Sequence, residues 1–501
     1  MNIQSLLEHH GVLRNPFAEE DAQTDQVFKE HCIANAYHPV WDKVYGDPRE
    51  PSTAIVFGPK GSGKTAMRLQ VLRHLKKFND QNARDRVYTI AYDDFNPFLD
   101  HFSERMSRRA ARKPERVLKE WKLWDHMDAI LCLGVTRLVD QILKKDLVED
   151  GIEQQTITAL DRTSSRDLLL LACCYDQSND GDFVSRWNDL RKRLGYGNLS
   201  SKYSCWFAIS WCVLVAAAFL YFMVFGSGGG EDGEGSTVWD YLWWAPLLML
   251  AGSAPYLWRL MKTWWAAFRI RRHMRVGKRE LGSIRSVLHS IPAKELASQP
   301  LPRYDRTDDR YELLNKFQAV LARVGYRGGT IVLMDRVDEP HMTGGKVELM
   351  RLFVWPLLDN KLLKHPGLGF KLMLPQELHR DMQRESRDFH ERARLDKQNV
   401  IASFQWTGES LYDLARARML ACAAEGQSPE PKDLFADVDY ARVISAFHSL
   451  RVPRHLFRFL YRLLVDHCNR YTDADPEFKI RADTFETALA VYVREIDSAT
   501  L

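Results

Sequence analysis

The residues best equipped for chemistry form one run, Gly58-Pro59-Lys60-Gly61-Ser62-Gly63-Lys64-Thr65, which spells G-x-x-x-x-G-K-[ST]. Glycines at this spacing let successive backbone N–H groups curl around a polyphosphate. The lysine at the seventh position reaches the β- and γ-phosphates, and the hydroxyl after it ligates Mg²⁺. Residues 58–66, ending at Ala66, therefore read as a nucleoside-triphosphate cradle, with Lys64 catalytic and Thr65 a metal ligand. The elements that must position this run are legible beside it. The apolar residues Ala54, Ile55, Val56 and Phe57 precede it as a strand. Met67, Val71, Leu72 and Leu75 follow at helical spacing, so the positive end of a helix faces the bound anion.

A second acidic element lies far downstream. Gly328 and Gly329 open a buried strand, Thr330 to Met334, that ends at Asp335. In P-loop ATPases such a strand lies beside the phosphate loop and its terminal aspartate holds Mg²⁺. Asp338 and Glu339 follow, and either carboxylate could polarise an attacking water. A further strand, residues 369–374, ends at Pro375-Gln376. There Gln376 is either a γ-phosphate sensor or a polar strand terminus. Arg454, after Pro453 at a helix start, either points back at the phosphates or is a solvated surface residue. Arg392 and Arg394, in a charged segment, either act as an arginine finger in a neighbouring subunit or are simply exposed.

The chain has 501 residues, 27 % charged and 45 % hydrophobic, which fits a globular protein of two or three domains. A net charge of +4 does not by itself indicate nucleic acid. The eight cysteines are scattered and form no C-x-x-C pair, so neither a zinc site nor a disulfide framework is indicated, and a reducing compartment is expected. The N-terminus lacks the basic, apolar, small-residue order of a secretory leader. No guanine-recognition N/T-K-x-D signature is present, which favours adenine.

Between the two halves of the nucleotide site lies a hydrophobic hairpin. Residues 205–225, from Cys205 onward, carry no charge, and a second apolar run, residues 241–258, ends at Trp258. Between them is a glycine-rich link, residues 226–235, with Glu231, Asp232 and Glu234. Trp239, Trp243, Trp244, Tyr256 and Trp258 gather at the ends of the second run, and basic residues flank the hairpin on both sides, among them Arg191, Lys192, Arg193, Lys202, Arg259, Lys262 and Arg269. This pattern predicts a two-helix transmembrane hairpin in the plasma (inner) membrane, with both flanks cytoplasmic. The competing reading is a buried helical hairpin in a soluble core. The basic residues 269–279 suit anionic lipid more simply than nucleic acid.

Other segments complete an expected α/β fold, a P-loop NTPase parallel sheet flanked by helices. A strand is expected at 86–92, and helices at 115–143, 347–358 and 408–424. The expected order is an N-terminal segment with the first part of the nucleotide domain (1–110), a helical insertion (111–200), the hairpin (201–275), the second part of the nucleotide domain (276–432) and a C-terminal helical lid (433–501). The opening segment, Leu13 to Phe17 before an acidic stretch 19–25, is expected to pack on the nucleotide domain.

A nucleotide domain interrupted by a membrane hairpin, between the phosphate loop and the acidic strand, resembles the KAP family of P-loop NTPases. The matching pieces are residues 58–65, 205–258 and 331–339, together with Pro453-Arg454. That family's acidic strand commonly ends in Asp-Asp-x-Asp-Arg. Here Asp335-Arg336-Val337-Asp338-Glu339 is closer to the Asp-Gly-x-Asp-Glu of NACHT and related signalling ATPases. The resemblance implies a membrane-anchored cytoplasmic ATPase using ATP and Mg²⁺, a nucleotide-dependent switch in anti-phage defence or membrane signalling. It would have the bilayer as one partner, further copies of itself as another and an unidentified protein effector as a third. A nucleotide-binding membrane scaffold with negligible turnover is the alternative.

Overall fold

A computed structural model of the chain describes residues 1–32, 36–144, 150–197, 199–225, 244–297, 299–302 and 306–499. They divide into two compact units: Met1–Asn96 with Pro114–Trp121 and Gly325–Leu501, and Pro97–Lys113 with Lys122–Val324.

The first unit is built on a five-stranded parallel sheet: β1 (Ala54–Gly58), β2 (Tyr88–Tyr92), β3 (Thr330–Met334), β4 (Leu368–Pro375) and β5 (Asn399–Ile401), in the order β2-β3-β4-β1-β5. Every residue of β1 and β3 is buried, as expected of parallel strands covered on both faces. The acidic strand is not hydrogen-bonded to the phosphate-loop strand, because β4 lies between them. Phe57 pairs with Leu374 and Met334 with Leu372, so β1 and β3 both end at the same edge of the sheet.

Helix Lys64–Gln81 seals one face. Its Val71 and Leu75 pack on Val87, Ile331 and Leu333, and its Met67 joins Val56, Met373 and Phe404. The helix expected over 347–358 ends earlier, at Val354, and tightens into a short turn at Trp355–Leu357 where Pro356 lacks an N–H for the α-helical ladder. The expected 115–143 helix breaks into Pro114–Glu120 and Leu123–Leu143, and Asp125 caps the second by accepting from the Lys122 N–H at 2.9 Å.

The C-terminal region is helical, at Tyr440–Leu450, Pro453–Cys468 and Ala482–Ala499. The opening segment packs there and on helix Gly408–Ala421, within the span expected for the nucleotide domain. Leu6, Leu7, Val12 and Phe17 share one core with Leu411, Met419, Phe447, Leu456 and Phe485. The Leu13 N–H donates to the Cys422 carbonyl at 2.8 Å.

The second unit is helical. Several of its interior charges are paired: Arg310, fully buried, grips Asp128 at 2.8 Å, and the Tyr175 hydroxyl donates to the same carboxylate at 2.9 Å. Arg186 bridges Asp176 (2.7 Å) and Asp140 (2.9 Å).

The two apolar runs become helices Leu199–Phe225 and Trp244–His273, packed on each other, with the Trp211 indole donating to the Leu248 carbonyl at 3.0 Å. The transmembrane hairpin is not supported. Among the described residues no helix is long and apolar enough to cross a membrane. A span needs about 20 apolar residues. The second helix reaches Arg259 after residues 244–258. Arg259 is buried, with its guanidinium donating to the His289 carbonyl at 2.8 Å. This corrects the expected two-helix anchoring in the plasma (inner) membrane and removes the support for the bilayer as a partner of residues 205–258. The hairpin is not buried in a core either, since Trp206, Val213, Leu214, Leu220, Leu250 and Trp258 are exposed. The acidic link 226–235, with Glu231, Asp232 and Glu234, and the residues Trp239, Tyr241 and Trp243 lie outside the described residues.

One residue in β4 runs against its surroundings. Lys371 is fully buried between Ala54 and Leu333, and its ammonium has no hydrogen-bond partner. Burial lowers its pKa from 10.5 to about 8. The native state therefore holds fewer protons than the unfolded one between those values, and stability rises with pH across that window. Lys371→Met is expected to stabilise the protein by about 1–3 kcal/mol at pH 7. Urea denaturation at pH 7 and pH 10 should show the wild type gaining stability across the window and the variant gaining none.

Candidate functional site

The phosphate loop leaves β1 and turns into helix Lys64–Gln81 through glycines that no other residue could replace without strain. Gly61 and Gly63 have φ of 84° and 95°, in the left-handed region. A Cβ on Gly61 would lie 2.7 Å from the Cβ of Arg454. The loop is held from outside by two contacts: the Trp406 indole donates to the Ser62 carbonyl at 2.8 Å, and the Arg454 N–H donates to the Gly61 carbonyl at 3.3 Å.

The loop borders a cavity of about 400 Å³. Lys60, Gly61, Gly63, Lys64, Thr65 and Ala66 line it, and so do Asp335, Asp338, Glu339 and Arg454. Gly58, Pro59 and Ser62 form the back of the loop. Ser62 is fully buried, and its hydroxyl is without a hydrogen-bond partner.

The two halves predicted from sequence meet directly. The Thr65 hydroxyl donates to Asp335 Oδ2 at 2.9 Å, across 270 positions of chain. Arg68, buried on the next turn of the same helix, places Nε 3.6 Å from that oxygen and pairs with Asp93. The Arg336 N–H donates to the other oxygen, Oδ1, at 2.9 Å, and Arg336 adopts a left-handed φ of 62° to do so. Backbone strain of this kind costs about 1–3 kcal/mol and persists only where the surroundings impose it.

The charges at this edge are shifted as burial dictates. Burial raises the Asp335 carboxyl, and the Thr65 hydrogen bond and Arg68 pull it back. Burial lowers the Lys64 amine, against the opposing pull of Asp335, Asp338 and Glu377. The Lys64 ammonium donates to the carbonyls of Gly58 (2.7 Å) and Pro59 (2.9 Å). Burial also raises Glu339, opposed by Arg336 at 3.5 Å and reinforced by Asp338 and Asp335.

Among the described residues no three or more His, Cys, Asp or Glu are arranged to hold a metal ion by themselves. A cation at Thr65 and Asp335 would take its other ligands from phosphate and water, the coordination Mg²⁺ prefers. The donor set therefore fits Mg²⁺ with a polyphosphate and offers no closed metal cage.

Two candidate residues stand elsewhere. Gln376 begins helix Gln376–Gln383, donates to the Ala402 carbonyl at 2.9 Å and does not line the cavity, although its neighbour Glu377 does. Arg394 has a left-handed φ of 45°, pairs with Asp396 at 3.4 Å and is also outside the cavity lining. Arg392 lies over the Phe389 ring.

Sequence reasoning missed the other wall. Glu20, Asp21 and Asp25 from the opening segment line the cavity, with Phe28, His38, Phe404, Trp406 and Phe457. His38 stacks on Phe404 at 3.9 Å and meets Trp406 edge-on. Arg418 is buried, pairs with Asp25 and donates to the Pro16 carbonyl at 2.6 Å. A signal for Arg418 was present: it falls on the buried face of helix Gly408–Ala421, with Leu411 and Ala415 at i,i+4 spacing. The aromatic wall offered none, because Phe404 and Trp406 sit in a connection without periodicity.

Compared with known proteins, the chain matches no family model and no curated protein sequence.

Burial lowers the His38 pKa from 6.5 to about 4, although a bond between its ring nitrogen and the Gln405 carbonyl (2.8 Å) opposes the shift. The unfolded chain thus binds more protons than the native one between these values, and this contribution is lost as pH falls from 6.5 to 4. The wild type is expected to lose up to about 3 kcal/mol across that interval from this group. His38→Gln should flatten the slope of urea stability against pH.

Proposed function

We propose that the first unit binds a nucleoside triphosphate with Mg²⁺ and hydrolyses it. The observation that carries this reading is the 2.9 Å bond between Thr65 and Asp335 beside the glycine loop, where a triphosphate-bound cation would be shared. The loop N–H groups and Lys64 would hold the phosphates, Thr65 would ligate Mg²⁺, and Asp335 would hold its water shell. Mg²⁺ would neutralise the charge that develops between the β- and γ-phosphates. Glu339 and Asp338 both line the cavity, and Glu339, its pKa raised by burial and by Asp338, is the carboxylate to which we assign the proton of an attacking water. The wall of Phe28, His38, Phe404 and Trp406 provides ring faces on which a planar base could stack, and the absence of a guanine signature favours ATP.

The C-terminal helices touch the loop through Arg454, which makes nucleotide-dependent rearrangement of that contact the natural switch. Arg394 is not brought to the cavity of its own chain, so its proposed role is that of an arginine finger in a homo-oligomer. The likeness to KAP-type and related signalling ATPases belongs to the same reading. A cellular role in defence or signalling, through a protein effector, rests on that likeness alone.

Lys64→Ala is expected to abolish both nucleotide binding and phosphate release, measured by calorimetry and a steady-state phosphate assay. Glu339→Gln should keep the affinity and lower turnover by about 10²–10⁴-fold, whereas Asp338→Asn should cost less. Wild-type protein that binds nucleotide but releases no phosphate would leave a binding scaffold and end the enzyme reading. Acidification should weaken Mg²⁺-dependent binding from above the ordinary carboxylate range, because the raised Asp335 carboxyl must be ionised to serve the cation.

A further inference from the structure

A second cavity, about 470 Å³, lies wholly within the helical unit and is independent of the phosphate loop. Its lining is strongly cationic. Arg271 and Arg272 close the last turn of helix Trp244–His273, Lys278 and Arg279 follow in the next turn of chain, and Arg105 faces them. The only carboxylate in the lining, Glu104, stands 3.7 Å from the His101 ring. Cations in a last turn complement the helix dipole, and that accounts in part for Arg271 and Arg272. It does not account for Arg105, Lys278 or Arg279.

The cavity is held in shape by its own backbone. Arg105 donates to the carbonyls of Arg271 (2.8 Å) and Gly277 (2.9 Å), fixing the turn that presents Lys278 and Arg279. Arg279 lies over the Phe183 ring at 3.8 Å, and two of its guanidinium nitrogens, Nε and Nη2, are buried without a hydrogen-bond partner. Burial lowers the pKa of both Arg105 and Arg279, and Arg271 lowers that of Arg105 further. Crowded guanidiniums with unused donors cost free energy unless an anion joins them. Planar guanidinium forks match phosphate oxygens bidentately, and a cavity of this volume is in the range that holds a small ligand.

We propose that this cavity is a binding site for a multiply phosphorylated small ligand, held by Arg105, Arg271, Arg272, Lys278 and Arg279. The same chemistry is offered by a free polyphosphorylated metabolite and by a polyphosphorylated lipid headgroup, and the two sources are separable.

The test uses the full chain carrying Lys64→Ala, so that the phosphate loop does not contribute. Inositol hexakisphosphate is titrated by calorimetry, and phosphatidylcholine vesicles with and without phosphatidylinositol bisphosphate are tested by co-sedimentation. Saturable binding of the soluble probe is expected, weakening with salt and falling by about tenfold or more in an Arg272→Gln/Lys278→Gln double variant. Both substituted side chains are exposed, and circular dichroism verifies that the variant is folded. Binding to the phosphoinositide vesicles with the same loss, but not to the soluble probe, would keep the site and assign it to a headgroup. Unchanged affinity in the double variant, or binding only to an oligonucleotide, overturns the proposal.

Discussion

The parallel register of β3, β4 and β1 is the constraint on which the candidate site depends. Because strand ends are flush in a parallel sheet, the loop after β1 and the acid after β3 emerge at the same edge, although β4 separates them. The Thr65–Asp335 hydrogen bond is the local result. Shifting β4 by one residue against either neighbour would turn its side chains to the opposite face and carry the acid away from the hydroxyl.

Around that bond the protein holds a set of charges in a place where each alone would be unfavourable. Asp335 is buried, yet it accepts from Thr65 and from the Arg336 N–H and has Arg68 nearby. Arg68 is itself divided between Asp335 and Asp93. Lys64 is anchored to two carbonyls of its own loop. These contacts pair the charges without a ligand, but carbonyls are weaker partners for an ammonium than phosphate oxygens. Transfer of Lys64 from Gly58 and Pro59 to an incoming anion would release loop carbonyls and exchange neutral acceptors for charged ones. The left-handed backbone at Arg336 belongs to the same design, since it lets an N–H face the carboxylate it follows.

The legible part of this site was local. Gly58 to Thr65 presents its motif in eight consecutive positions, and the strand from 330 is followed by the candidate ligand Asp335, so motif and periodicity both apply. The sheet was readable for the same reason, except for the short edge strand Asn399–Ile401, which is too brief and too polar at its start to stand out. What was hidden arises from tertiary convergence. Glu20, His38, Phe404 and Arg454 come from four separate stretches, and their meeting depends on how the opening segment packs on the C-terminal helices. The expectation that this segment packs on the nucleotide domain did not extend to the C-terminal helices, because composition alone does not say which surface Leu6, Leu7 and Phe17 cover.

The hairpin shows the opposite failure, where a strong pattern led too far. Apolar composition measures how unfavourable exposure is, and it leaves open where the helix ends or what its flanking charges do. Arg259 reads as a flank, but its guanidinium is turned inward to the carbonyl oxygens of His289 and Ile291. The downstream cations were likewise counted as one basic flank. Some are instead structural: Arg275 pairs with buried Asp125, with Nε 2.9 Å from the carboxylate. Arg105 braces the adjacent turn from a distant segment. Of the cations that remain, Arg271, Arg272, Lys278 and Arg279 line one concave space, whereas Lys262 and Arg269 stand outside it. A uniform attraction to an anionic surface needs only charge density, whereas a recessed cluster fixed by backbone hydrogen bonds discriminates by shape as well.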